Sequence, residues 1–188
     1  ANGQLDGISS PATNVSFFGT IVTTNNIYYS DNGTTSTFLG VSGETLYGAN
    51  VLLNGASKAI VVGYGSIGAN AFYRALSLTS ISIPSSVTSI EDVAFLNASN
   101  LTDITVDSGN TDYKDISGVL FDLSGATLIQ YPIGNTRTSY EIPASVTSIG
   151  YNAFLNASNL TDITVDSGNT DYKDISGVLF DLSGATLI

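Results

Sequence analysis

Histidine, cysteine, methionine and tryptophan are all missing from the 188 residues. Without imidazole or thiolate, the usual zinc and haem sites, the Ser-His-Asp and Cys-His forms of nucleophilic catalysis and every disulfide are excluded. Charge is scarce as well, at 11% of the chain, and positive charge is scarcest: five Lys and Arg face 16 Asp and Glu, for a net charge of −11. A chain of that sign is repelled by phosphate backbones and anionic bilayers, so nucleic acid is excluded as a partner. Long apolar runs are also lacking. Residues 51–53 and 59–62 fall far short of the ~18 residues a membrane-crossing helix needs, and no membrane insertion is expected. The chain opens at Ala1 without the basic and apolar stretches of a signal peptide, which fits a secreted chain already trimmed and equally one made without a leader. The lack of cysteine assigns no compartment by itself.

What is present is a folded composition, 43% hydrophobic, arranged in two nested repeats. Residues 94–129 recur without a change as 153–188, an offset of 59. Inside that period lies a shorter one of 23: Ile67, Phe72, Ala75, Leu78, Ile81 and Ile83 return as Ile90, Phe95, Ala98, Leu101, Ile104 and Val106. The set returns again as Ile149, Phe154, Ala157, Leu160, Ile163 and Val165. The long period is thus one 23-residue coil plus a 36-residue excursion. No isolated helix or hairpin can bury apolar residues at these spacings, so neighbouring coils must cover one another, as in a solenoid.

Each coil contains a period-two stretch. In residues 80–83 (SISI) the isoleucines share one face and the serines the other, which predicts a short strand. Pro84 and Pro143 follow such strands, where a missing N–H is tolerated. Residues 59–62, 80–83, 103–106, 139–142 and 162–165 are expected to stack as one parallel sheet, with little regular helix and with Phe95 filling the interior. The excursion predicts a β-hairpin, residues 118–121 and 127–132 flanking the turn at 122–126. Residues 1–57 do not follow the period. Their β-prone runs 16–22 and 27–29, with a turn signal at Asp31-Asn32-Gly33, predict an N-terminal β cap or an assembly segment. The expected division is therefore 1–57 for this cap and 58–188 for the solenoid, with hairpin insertions at about 107–138 and 166–188. The acidity belongs to the repeats: residues 1–90 hold three acids and two bases, residues 91–188 thirteen acids and three bases.

The segments IPSSVTSIEDVAF (83–95) and IPASVTSIGYNAF (142–154), with Leu before the next strand, resemble the bacterial BspA-type leucine-rich repeats. GVLFDLSGATLIQYP (118–132) is similar to the hairpin found between such repeats. The resemblance covers roughly residues 58–188 and implies a β-rich leucine-rich-repeat solenoid with parallel strands. It further implies an extracellular or surface-displayed protein of the adhesin kind, presenting its repeats to host, matrix or neighbouring-cell macromolecules. Where that family often has Cys, three residues after the repeated Phe, this chain has Ala75, Ala98 and Ala157. The small interior slot is still filled, but no thiol chemistry is inherited.

Three sets of residues are candidates for function. Ser80, Ser82, Asp103, Thr105, Ser139, Glu141, Asp162 and Thr164 would form an outward ladder of hydroxyls and carboxylates, able to bind sugars or proteins and equally able to be a merely solvated face. No row of aromatic anchors accompanies it. Asp107, Asp112 and Asp115, repeated as Asp166, Asp171 and Asp174, offer oxygen ligands of the kind calcium takes, without EF-hand spacing; the same residues would serve the backbone of a turn. Calcium is the only cofactor these residues suggest. Asn14, Asn32, Asn97, Asn100, Asn156 and Asn159 open Asn-x-Ser/Thr sequons and could accept glycans, although several are expected by chance in a chain this rich in Asn, Ser and Thr. Paired carboxylates also invite a glycosidase reading, but a duplicated surface pattern lacks the unequal environments of an acid and a base. The expectation is non-catalytic adhesion to a surface protein or glycan. The alternative is a structural subunit that polymerises end to end into an extracellular filament.

Overall fold

The computed structural model describes residues 36–46, 58–76 and 78–188, with residues 36–46 and 58–64 described by their backbone alone. Apart from β1, the expected N-terminal cap, including the runs at 16–22 and 27–29, lies outside the described residues. The elements in chain order are β1 (Ser36–Leu46), β2 (Lys58–Ile67), β3 (Ser80–Ile83), β4 (Ser89–Ile90), β5 (Asp103–Val106), β6 (Tyr113–Ile116) and β7 (Val119–Asp122). They continue as β8 (Thr127–Gln130), β9 (Ser139–Ile142), β10 (Ser148–Ile149), β11 (Asp162–Val165), β12 (Tyr172–Ile175) and β13 (Val178–Asp181), with no helix among the described residues. Together they make a β-solenoid of about four turns, with parallel strands about 23 residues apart.

A coil begins with a strand whose alternation decides its facing. In β3, Ile81 and Ile83 are buried while Ser80 and Ser82 stand outward, and β5 pairs with it in parallel, Ser80 opposite Asp103 and Ile81 opposite Ile104. Pro84 ends the strand and its carbonyl accepts the Val87 N–H in a tight turn. A two-residue strand follows, β4 against the end of β2 with Ser89 opposite Ser66, and β10 against β8 with Ser148 opposite Thr127. β1 continues the stack upstream, parallel to β2 with Ser36 opposite Ala59.

After Glu91 the chain runs through successive tight turns and no helix forms: Ala94, Leu96 and Ala98 donate to the Glu91, Val93 and Phe95 carbonyls. Left-handed residues punctuate it at two repeated positions. Asn70, Val93 and Asn152 occupy the first (φ 58–63°), and Arg74, Asn97 and Asn156 the second (φ 54–67°). A residue of positive φ breaks helical continuity, and Asn tolerates that conformation better than other side chains do.

The excursion differs from a simple hairpin between coils. β6, β7 and β8 form a three-stranded antiparallel meander, and β8 then pairs in parallel with β10, so the segment supplies part of a coil itself. Tyr131 donates its N–H to Ala153 O (3.0 Å) as Phe72 does to Ala94 O (2.7 Å), and so occupies the coil position filled elsewhere by phenylalanine. β7 is fully buried at Val119, Leu120 and Phe121. Its alternation is shared between two cores: Leu120 packs with Ile67, Phe72, Phe95 and Ile104, while Val119 and Phe121 pack with Tyr131, Tyr140 and Ile142.

The meander also divides what was expected to be one sheet. β3 and β5 belong to one sheet, β9 and β11 to another, and β5 does not pair with β9. The reason lies in β5's outer edge, whose free N–H groups are already taken: Ile104 donates to Gly118 O (3.0 Å) and Val106 to Asp115 Oδ1 (2.9 Å). The aromatic column divides in the same way. Phe72 and Phe95 stack face to face (5.5 Å, 6°), whereas Phe154 packs with Tyr131 (5.4 Å) and Tyr140 (6.0 Å).

Candidate functional site

The ladder residues are brought together in two groups. Ser80 lies opposite Asp103 and Ser82 opposite Thr105 on β3 and β5; Ser139 lies opposite Asp162 and Glu141 opposite Thr164 on β9 and β11. Thr105, Ser139 and Glu141 are exposed and the others half-buried. The meander's turn stands between the groups. A Cβ built on Gly118 (φ 82°) would fall 2.2 Å from Asp103 Oδ1, and one on Gly177 (φ 78°) 2.1 Å from Asp162 Oδ1, so each Ser-Gly turn lies directly under a ladder carboxylate. Only glycine serves there, because the backbone is left-handed and the space is taken. Arg137 fastens the first turn by donating from Nη2 to Ser117 O (2.9 Å).

The six aspartates read as calcium ligands are each engaged with their own backbone or a neighbouring hydroxyl. Asp107 and Asp166 accept the Gly109 and Gly168 amides (both 2.8 Å). Asp112 and Asp171 accept the hydroxyls of Thr111 and Thr170. Asp115 and Asp174 accept the amides of Val106 and Val165, capping the outer edges of β5 and β11. Among the described residues no three acidic side chains converge in a way that could hold a metal ion.

The organising residue of these loops is one that sequence reasoning passed over. Asn110 is buried; its Nδ2 donates to Pro84 O and Val87 O (2.8 and 2.9 Å), and its Oδ1 accepts from Asp112 N and Tyr113 N (2.9 and 2.8 Å). Asn169 repeats all four bonds in the second copy. A buried amide so satisfied ties the loop to the preceding coil. Tyr113 Oη then accepts the Ile90 N–H (2.8 Å) on the open edge of β4, and burial pushes its hydroxyl above the ordinary tyrosine range, against the pull of that amide. Burial likewise raises Tyr140, while Tyr131 is fully buried and its hydroxyl has no hydrogen-bond partner among the described residues.

Four of the six sequon asparagines lie among the described residues. Asn14 and Asn32 lie outside the described residues. In the repeats, Asn100 and Asn159 donate from Nδ2, the atom a glycan would take, to Leu76 O and Asn135 O, and Asn156 Nδ2 donates to Asn97 Oδ1. Asn97 and Asn156 are also left-handed turn residues, so backbone geometry accounts for them without a modification.

Coils of this length, each giving a short parallel strand and a buried filler, define a leucine-rich-repeat solenoid. The chain belongs to the BspA type leucine rich repeat region family, whose model matches residues 65–175 in six copies. No curated protein matches the sequence. Among solved structures it is similar to a leucine-rich repeat protein from Eubacterium ventriosum ATCC 27560, with 22% identity over 77% of this chain and 58% of that one and a TM-score of 0.49. It is also similar to the pneumococcal vaccine antigen PcpA (15% identity, 82% and 66% of the two chains, TM-score 0.44). A third is a leucine rich cell surface protein from Faecalibacterium prausnitzii A2-165 (24%, 85% and 57%, TM-score 0.35). The chain spans less than two thirds of each of these proteins.

Proposed function

We propose that the chain is a non-catalytic adhesive module of a bacterial cell surface, contacting a protein or glycan through the outward residues of β3, β5, β9 and β11. The observation that carries this reading is the repeated placement of Asp103 and Thr105, then Glu141, Asp162 and Thr164, on paired strands whose isoleucines Ile104, Ile142 and Ile163 turn toward the core. Acceptors repeated in two like groups suit an extended partner, and leucine-rich repeats generally act by binding, not by catalysis. Membership of the BspA type family supports the same reading. The test is binding of the purified chain to immobilised matrix proteins and a glycan array. Saturable binding that falls at least tenfold in an Asp103→Asn/Glu141→Gln/Asp162→Asn variant of unchanged melting temperature is expected. Undiminished binding by that variant would remove the ladder from the reading, and immunolabelling of intact source cells checks the surface location.

End-to-end assembly is favoured by one specific observation. Val178, Leu187 and Ile188 are 45%, 64% and 51% exposed, although the identical Val119 and Leu128 are fully buried beneath the coil that follows them. Strand addition at β11 is not the route, because Ile163 donates to Gly177 O and Val165 to Asp174 Oδ1 along its edge. Apolar docking of a second copy over this surface is the route such assembly would take. It predicts concentration-dependent sedimentation abolished by Leu187→Lys; a monomer at all concentrations would reject it.

A further inference from the structure

We infer that the cleft between β4 and β8 is a seat for an arginine side chain of a partner protein. The cleft exists because the two short strands do not pair: β4 joins β2, β8 joins β10, and Tyr113 Oη satisfies the Ile90 N–H that a neighbouring strand would otherwise have taken. Its volume is about 160 Å³, below the several hundred Å³ of a drug-sized pocket and suited to one side chain. Glu91, Asp92, Tyr113, Ile129, Gln130 and Tyr151 line it, and no Lys or Arg does.

Two further observations point to the ligand. Gln130 is only 9% exposed, and its hydrogen bonds, to Tyr131 O (2.8 Å) and Ala153 O (3.1 Å), both use Nε2. Its Oε1 therefore has no donor among the described residues, an acceptor held ready in the lining. The second is internal. Residues 83–129 and 142–188 differ at four positions only, and three are consecutive: Glu91, Asp92 and Val93 stand where Gly150, Tyr151 and Asn152 stand in the other copy. Five of those six residues line this one cleft. Both the acidic pair of one coil and the tyrosine of another thus meet at a site the perfect repeats do not otherwise make.

A guanidinium matches these groups. Glu91 Oε2 accepts the Ala69 N–H (3.0 Å) and leaves Oε1 to a ligand; Asp92 adds a second carboxylate. The planar cation takes paired acceptors and stacks on an aromatic face, which Tyr151, 75% exposed, offers. The methylene stem would lie along Ile129 and Val93. The site shares no residue with the strand ladder.

The experiment is an amide-resolved NMR titration of the full chain with Nα-acetylarginine N-methylamide, beside the isosteric but neutral citrulline compound. Saturable shifts confined to Ile90, Ile129, Gln130 and Tyr151 are expected with arginine only. A Glu91→Gln/Asp92→Asn variant, which keeps the acceptor for Ala69, should weaken binding at least tenfold, and Tyr151→Ala severalfold, with the spectrum elsewhere unchanged. Glu141→Gln should leave this binding intact, so failure of the adhesive reading and of this one are distinguishable. Equal binding of the citrulline compound or of methyl glucoside, undiminished binding by the double variant, or no saturable shift would each overturn it.

Discussion

Asn156 Nδ2 donates to Asn97 Oδ1 at 2.7 Å, joining residues 59 apart across an intervening coil. They can meet because the coil between them omits the outward turn both belong to: it runs from Tyr131 through Pro132 and Ile133 to Gly134, whose amide already reaches Leu101 O (2.8 Å). Gly134 lies so close to the preceding coil that a Cβ there would come 2.5 Å from Asn100 C. Asn156→Gly keeps the left-handed backbone and loses only the bond, so it should cost ~0.5–1 kcal/mol in urea unfolding. Asn156→Ala adds the backbone penalty and should cost ~1 kcal/mol more. Equal stability of the two variants would show that the conformation carries no weight.

The buried, unpartnered hydroxyl of Tyr131 is a defect that the other coils avoid by using Phe72, Phe95 and Phe154. Tyr131→Phe removes a buried polar group without changing the ring and should stabilise the protein by ~1–2 kcal/mol, read from the denaturation midpoint. Destabilisation instead would mean that the hydroxyl has a partner in solution.

Identical residues in different surroundings provide their own control. Val119→Ala should cost about 2 kcal/mol, since its side chain is wholly enclosed between β7 and the following coil, whereas Val178→Ala should stay within ~0.5 kcal/mol. Comparable losses in the two variants, by calorimetry, would place a covering partner over β13.

Val93 is a β-branched residue held at φ 58°, where the equivalent positions carry Asn70 and Asn152. Val93→Asn relieves the strained backbone and should raise stability by ~1 kcal/mol, measured as a higher melting temperature. A fall would mean that the apolar contacts of Val93 outweigh its strain.

Asp122 anchors the β7–β8 turn. Partial burial pushes its carboxyl upward, but the Ser124 hydroxyl and the amides of Thr127, Gly125 and Ala126 outweigh this and hold it below the usual aspartate range. A folded-state value below the unfolded one contributes stability above the ordinary aspartate range, and that contribution is lost as pH falls through the lowered value. Acid unfolding of Asp122→Asn should therefore be less steep below pH ~4 than that of the wild type. An unchanged profile would assign the acid sensitivity to other carboxylates.

The coil itself was legible because its signal is local and repeated: Ile81 and Ile83 alternate with serines, and Phe95 returns at the spacing of Phe72. The turn at 122–126 was legible from Ser-Gly between apolar runs. β6 was not, since Tyr113-Lys114-Asp115-Ile116 follows an acidic, Asn-containing loop whose carboxylates suggest ligands before they suggest strand-edge caps. Nor could sequence show that β7 serves two cores at once, a property of what packs on either side. One signal was available and unread: Tyr131 precedes Phe154 by the coil period of 23, which marks it as that coil's aromatic filler. The cleft at β4 and β8 depends on a pairing that fails to form, and no residue type announces that.

The amides of Ile104 and Val106, and again of Ile163 and Val165, are spoken for within their own 59-residue unit. Each copy therefore caps the outer edge of its own strand, at β5 and again at β11. Tandem copying of such a unit can lengthen or shorten the molecule by whole steps without adding an uncapped strand edge at β5 or β11.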